Sequence, residues 1–419
     1  LAASGLDPRA FAAVRDLFSP SGFLVTPGGR APASPAPAAR AGLEPGDAVA
    51  VDVLRGDLNF SAIGTVTWRD GDRVLLFGHP FFQSGEVRLP LSRAEITTVV
   101  SSLASSFKLG VPGEPVGVAT QDRRAAVAGR LGGVPRLLPF AVDVALPGAA
   151  TRAFHFQTIE DRALAPQLVS AAALNSLLES GGSGPEQTVR WTLDLWRQGR
   201  RLTLADVEAG EAPFSDVLSG VGAPLRFLFG NPYERLRLDS LRVRLEATPG
   251  REQWTLRQAA FDRAAVRPGG TLAVAVEIER WRGPRRTLAL RLPVPEELPD
   301  GHYVLHLAGG PEYDRFLAQR LPARFRPVSL DDAWRRLASF HASDAVYAAL
   351  WARAPEITQA GEDYPELPTS ALPLLSPPGQ SGDRARRGDW ALVSEARVPV
   401  AGVLRGELVL DVDVDSKAP

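Results

Sequence analysis

Chemistry in this chain of 419 residues has to come from oxygen and nitrogen, because it contains no cysteine and no methionine. Disulfides, thiolate nucleophiles, Cys-ligated zinc and iron–sulfur clusters are therefore excluded. The five histidines stand at 79, 155, 302, 306 and 341. A zinc site needs three or four converging ligands, and no HExxH or HxxEH spacing occurs. His302 and His306 lie in GHYVLHL, where strand alternation places both on one face. The ordinary reading of that face is a solvent-exposed strand, so no metal and no other cofactor is expected. No Walker loop or GxGxxG following a strand is present, and the aromatic residues are not interleaved with basic patches. Nucleotide and nucleic-acid binding are therefore not expected.

The remaining candidate is nucleophilic catalysis by serine, with His79 as base. His79 sits in LLFGHPFFQSGE, residues 75 to 86, between Gly78 and Pro80. These neighbours can fix a turn that holds the imidazole out of a sheet, within the roughly 3 Å a base needs to reach its nucleophile. Phe77, Phe81 and Phe82 can equally lock the ring as a packed corner if they turn inward. For the nucleophile there is Ser183 in SGGSGPE, although glycines after a helix are also what a C-terminal cap demands. Ser105 and Ser106, in SSLASSFKLG beside Lys108, allow a Ser-Lys arrangement or a plain polar turn. Asp122, in TQDRRAAVAGRLG, can orient a histidine or pair with the arginines beside it.

The elements that must position these groups are mostly strands. From about Glu44 the chain alternates Val, Leu, Ile and Phe with polar residues, and Gly71 in RDGDR marks a hairpin turn. TVRWTLDLWRQGRRLTLADV, residues 188 to 207, reads as two strands joined at Gln198 and Gly199. LVSAAALNSLLES, residues 168 to 180, has helical spacing with glycines past its end. DPRAFAAVRDLF, residues 7 to 18, is also helical in spacing, and the Pro-rich tract at 30 to 41 reads as an extended linker. Residues 236 to 310 give short alternating strands separated by PGR, RPGG, RGPR and LPDGHY, the pattern of an immunoglobulin-like sandwich. SLDDAWRRLASFHASDAVYAALWARA reads as one helix from a Ser329 cap, before a Pro-rich loop and closing strands. VLRGDL at 53 and VLRGEL at 403 read as two similar hairpin edges.

Residues 64 to 132 resemble the SpoIVB-type serine peptidase domain in the order of their features. These are a GT strand, a hairpin, the Gly-His turn, a Ser- and Thr-rich segment, a PGE turn and a closing strand ending in Gly. The resemblance covers under a quarter of the chain and implies that His79 is the general base. The family's nucleophile lies in a Gly-x-Ser-Gly-Ser-Pro type of turn, which this chain lacks. Ser183 is the nearest substitute, following His79 and Asp122 in the His, Asp, Ser order of chymotrypsin-like folds.

The expected fold is mainly β with few helices, an antiparallel peptidase-like domain followed by an immunoglobulin-like sandwich. The divisions are 1–43, helix and linker; 44–235, peptidase-like with a helical insertion near 168–180; 236–310, sandwich; and 311–419, a C-terminal helix, loop and β segment. With 47 basic and 48 acidic side chains the chain is almost neutral, so charge gives it no general attraction to nucleic acid or anionic lipid. No apolar run approaches the ~18 residues of a membrane span. A chain beginning LAASGLDP without Met, free of oxidisable sulfur, is expected to be extracytoplasmic with its signal peptide removed. Two functions follow: a non-catalytic binding or scaffolding module of the cell envelope with a protein partner, or a serine endopeptidase acting on a protein substrate.

Overall fold

A computed structural model of the chain describes residues 1–28, 43–101, 107–133, 135–211, 213–263, 265–321, 325–353, 356–359, 362–364, 385–388 and 390–418. The Pro-rich tracts at 30–41 and 365–378, and Ser105 and Ser106, lie outside them. The described chain is mainly β, with five helices.

The first unit contains β1 (Ala2–Ser4), α1 (Phe11–Phe18), β2 (Thr26–Pro27), β3 (Ala48–Gly56), β4 (Asn59–Asp70), β5 (Arg73–Leu76), β6 (Gly85–Val100), β7 (Phe107–Arg123) and β8 (Ala126–Leu131). It continues through β9 (Leu138–Ala145), β10 (Arg152–Thr158), α2 (Leu164–Glu179), β11 (Gln187–Arg197), β12 (Arg200–Gly210), α3 (Phe214–Phe229) and β13 (Ser240–Pro249). Because β3 pairs with both β4 and β6, the strands β3, β6, β7, β8, β5 and β4 close into an antiparallel ring. Closure removes the free edges that these strands would otherwise expose. Beyond the ring, the end of β3 pairs with β10, and the sheet runs on through β9, β13, β11 and β12.

The turns follow local chemistry. Gly71 takes φ +57° between β4 and β5, and Gln198 and Gly199 take φ +51° and +74° between β11 and β12. Helix α2 is mostly Ala and Leu and is buried along nearly its whole length, so it forms the centre of the first core against β9, β10, α1 and α3. Strand β13 differs from the expected division at 236. It pairs with β11 and, in parallel, with β9, and therefore belongs to the first sheet.

The second unit comprises β14 (Gln253–Phe261), β15 (Ala265–Val266), β16 (Thr271–Arg280), β17 (Arg285–Pro293), β18 (Gly301–Ala308), α4 (Gly310–Arg320), α5 (Leu330–Leu337) and β19 (Ala345–Ala352). There follow the small strands β20 (Glu356–Gln359), β21 (Glu362–Tyr364) and β22 (Ala385–Gly388), then β23 (Ala391–Pro399), β24 (Val403–Arg405) and β25 (Glu407–Val414). The sheets β17-β16-β14-β24 and β15-β25-β18-β19-β23 share one core containing Ile278, Leu290, Leu305, Leu350, Leu404 and Val412. This sandwich-like pair reaches residue 414, because the closing strands of the chain complete both sheets.

The segment read as one helix from Ser329 is instead α5 followed by β19. Ser329 does cap α5, its Oγ accepting from the Asp332 N–H at 3.0 Å. Helix α5 stops at Leu337, and the buried residues Leu330, Ala333, Trp334 and Leu337 join the core of the first unit. The VLRG segments also differ from expectation. The segment at 53 enters the β3–β4 hairpin, but at Gly406, with φ +104°, the chain crosses from β24 in one sheet to β25 in the other.

Candidate functional site

The β5–β6 connection carries His79. Phe77 and Gly78 both have positive φ, +70° and +76°, and the Phe77 N–H donates to the Thr65 carbonyl at 3.0 Å. That turn folds the Phe77 ring over Gly64 and stacks the His79 ring on it, with centroids 5.5 Å apart. Phe81 and Phe82 pack against Phe23. The phenylalanines thus make a packed corner, while the imidazole lies exposed on its outside. Its Nδ1 is 2.8 Å from the Pro80 carbonyl oxygen, so Nδ1–H is held by the turn itself.

Asp122 is fully buried, and its carboxylate accepts from the backbone N–H groups of Phe81 at 2.8 Å, Phe82 at 2.5 Å and Ser84 at 3.3 Å. It neither faces the His79 ring nitrogens in a hydrogen bond nor pairs with its neighbouring arginines. Its work is to satisfy the amides of a turn that makes no ladder bonds. Ser183 belongs to the cap of α2. There the Gly181 and Gly182 N–H groups donate to Leu178 and Leu177, and Arg9 Nη1 donates to Ser183 Oγ at 2.8 Å. The hollow beside Ser183 is lined by Leu146, Pro147, Pro249 and Arg282, none of which surrounds His79. His79, Asp122 and Ser183 are thus three local structures without a shared hydrogen bond. Lys108 donates to Thr65 Oγ1 at 2.7 Å.

The two histidines of β18 part company. His302 is solvent-exposed beside Asp413, whereas His306 is fully buried under α4, its ring stacked on Phe316 at 3.8 Å. Burial pushes its pKa down, opposed by Glu407, and favours the neutral ring. The expectation of a solvent-facing pair fails at His306, because α4 covers that half of the strand. No group of three potential ligands that could hold a metal occurs among the described residues.

The best-formed polar arrangement is one that sequence spacing did not reveal. His341 follows α5, and Asp314 on α4 accepts from both the His341 backbone N–H at 3.0 Å and Nδ1 at 2.6 Å. Tyr313 and Tyr347 meet the imidazole edge-on, at 4.7 and 4.6 Å. The ring is thereby fixed, and Nδ1–H leaves Nε2 as the acceptor of the neutral imidazole. His341 and Asp314 line a cavity of about 300 Å³ together with Phe227 of α3, Phe325, Phe340 and Glu395 of β23. Glu395 accepts from the Tyr313 hydroxyl. The cavity lies where the first unit, the α4–α5 segment and the sandwich meet. Asp314 and His341 are 27 residues apart, and only the packing of α4 beside the α5–β19 loop joins them.

Compared with known protein families, curated proteins and solved structures, the chain matches none.

Proposed function

We propose that the chain is a non-catalytic binding or scaffolding protein of the cell envelope, in which a peptidase-like β ring is retained as a rigid frame. The observation that carries this reading is the fate of Asp122. Its carboxylate serves three turn amides, so among the described residues His79 has no acidic partner of the kind a Ser-His-Asp mechanism uses to orient its base. Ser183, spent on Arg9 and the α2 cap, adds to the same reading. The extracytoplasmic setting and a protein partner belong to the proposal, supported by a sulfur-free composition and an unusually long β6–β7 ribbon.

The competing reading is a serine endopeptidase that uses His79 with a serine other than Ser183. Treatment of the purified chain with a fluorophosphonate probe, beside His79→Ala and a control protease, separates the two. We expect no labelling under conditions that label the control. Labelling that disappears in His79→Ala would replace the binding reading with the enzymatic one.

A further inference from the structure

We propose that the cavity at the junction of the two units binds an organic ammonium group, presented by a small amine or by a lysine side chain. The assignment rests on the chemistry of its walls, independently of what the β ring does. Phe227 and Phe340 meet edge-on at 6.4 Å and Phe325 and Phe340 at 5.9 Å, so three ring systems converge on one space. Aromatic faces attract cations, and most strongly where water is excluded. The polar groups point the same way. Glu395 has one oxygen engaged by Tyr313, and its other oxygen can take a charged donor. Asp314 takes the His341 Nδ1–H, which leaves Nε2 as the acceptor of the neutral ring.

One cation, Arg336, also lines the cavity. Its Nε donates at 2.7 Å to Asp332 Oδ2, on a buried carboxylate that also takes Arg335 at 3.2 Å, so this guanidinium is drawn toward α5. Asp314 and Glu395 set two carboxylates against this one guanidinium on the cavity wall. A cavity of about 300 Å³ is at the small end of ligand sites, large enough for an ammonium with a short apolar stem.

The test is a calorimetric or NMR titration of the whole chain at pH 8. The probes are benzylammonium, benzyl alcohol and benzoate. We expect saturable binding of benzylammonium at least tenfold tighter than that of the alcohol, and no binding of benzoate. Glu395→Gln keeps an acceptor for Tyr313 and removes the charge, so affinity should fall about tenfold. Phe340→Ala removes a ring that is 47 % exposed, and should weaken binding about threefold without unfolding the chain. Equal binding of the alcohol, preference for benzoate, absence of saturation, or unchanged affinity in both variants would overturn the proposal. Titration with Nα-acetyl-lysine methylamide then separates the sources. Tighter binding than benzylammonium assigns a protein side chain, weaker binding a free amine, and either result is consistent with the ammonium site.

Discussion

At the scale of single residues, the chain places a carboxylate where a turn needs acceptors and leaves its neighbouring histidine outside. Removing the Asp122 side chain strands three backbone donors, two of them on residues that pack the corner. Asp122→Ala should therefore cost about 2–4 kcal/mol, since bonds to a charged acceptor are worth more than neutral ones and the orphaned N–H groups stay partly buried. His79→Ala, losing an exposed ring bonded to its own turn, should stay within about 0.5 kcal/mol. Urea unfolding of both variants checks the pair, and a large loss in His79→Ala with none in Asp122→Ala would reverse the roles assigned to them. Asp122 stood out in sequence as a carboxylate beside arginines, but its donors did not. They lie about 40 residues upstream and come into reach only when β6 pairs with β7, with Gly85 opposite Asp122.

At the scale of elements, what was legible depended on how local the cause is. The hairpins at Gly71 and at Gln198-Gly199 are determined by residues that tolerate positive φ. Helix α2 is announced by its Ala- and Leu-rich run and the glycines after it. AVYAALWA, by contrast, reads as helix because it shows no apolar-polar alternation. In β19, Val346, Ala348 and Leu350 face the sandwich core while Tyr347, Ala349 and Trp351 face α4, so both sides of the strand are buried. Period-two patterning vanishes from a strand covered on both faces. Strand β4 shows a similarly nonlocal demand at Gly64, where an added Cβ would come within 1.8 Å of the Phe77 ring. The stacked His79 and the backbone turn leave that ring little room to retreat. Gly64→Ala should destabilise the protein by about 1–3 kcal/mol, measurable as a lower urea midpoint.

At the scale of the molecule, the two units are joined by polar contacts that respond to pH. Ser343 donates its N–H at 2.6 Å and its hydroxyl at 3.2 Å to Asp206, and Arg405 of the sandwich reaches Glu208 at 3.4 Å. Burial and the nearby Asp206 push the Glu208 carboxyl up from 4.5 to about 7, with Arg405 opposing. The folded chain thus binds a proton that the unfolded chain releases between about pH 4.5 and 7. Stability from this group is complete below 4.5 and is lost as pH rises through 7. Between pH 5 and 8 the native chain should lose about 2–3 kcal/mol relative to Glu208→Gln, whose side chain cannot ionise. Urea unfolding at both pH values measures it, and parallel pH profiles for the two proteins would refute the assignment. The residue types alone excluded thiol and Cys-metal chemistry, set a mainly β composition and marked the short hairpins, because each follows from side-chain chemistry or from φ preferences of adjacent residues. Only the tertiary structure decided that Asp122 serves a turn, that β19 is a strand, and that Asp314 and His341 share a cavity. Those outcomes depend on contacts between segments distant in sequence, which local periodicity does not encode.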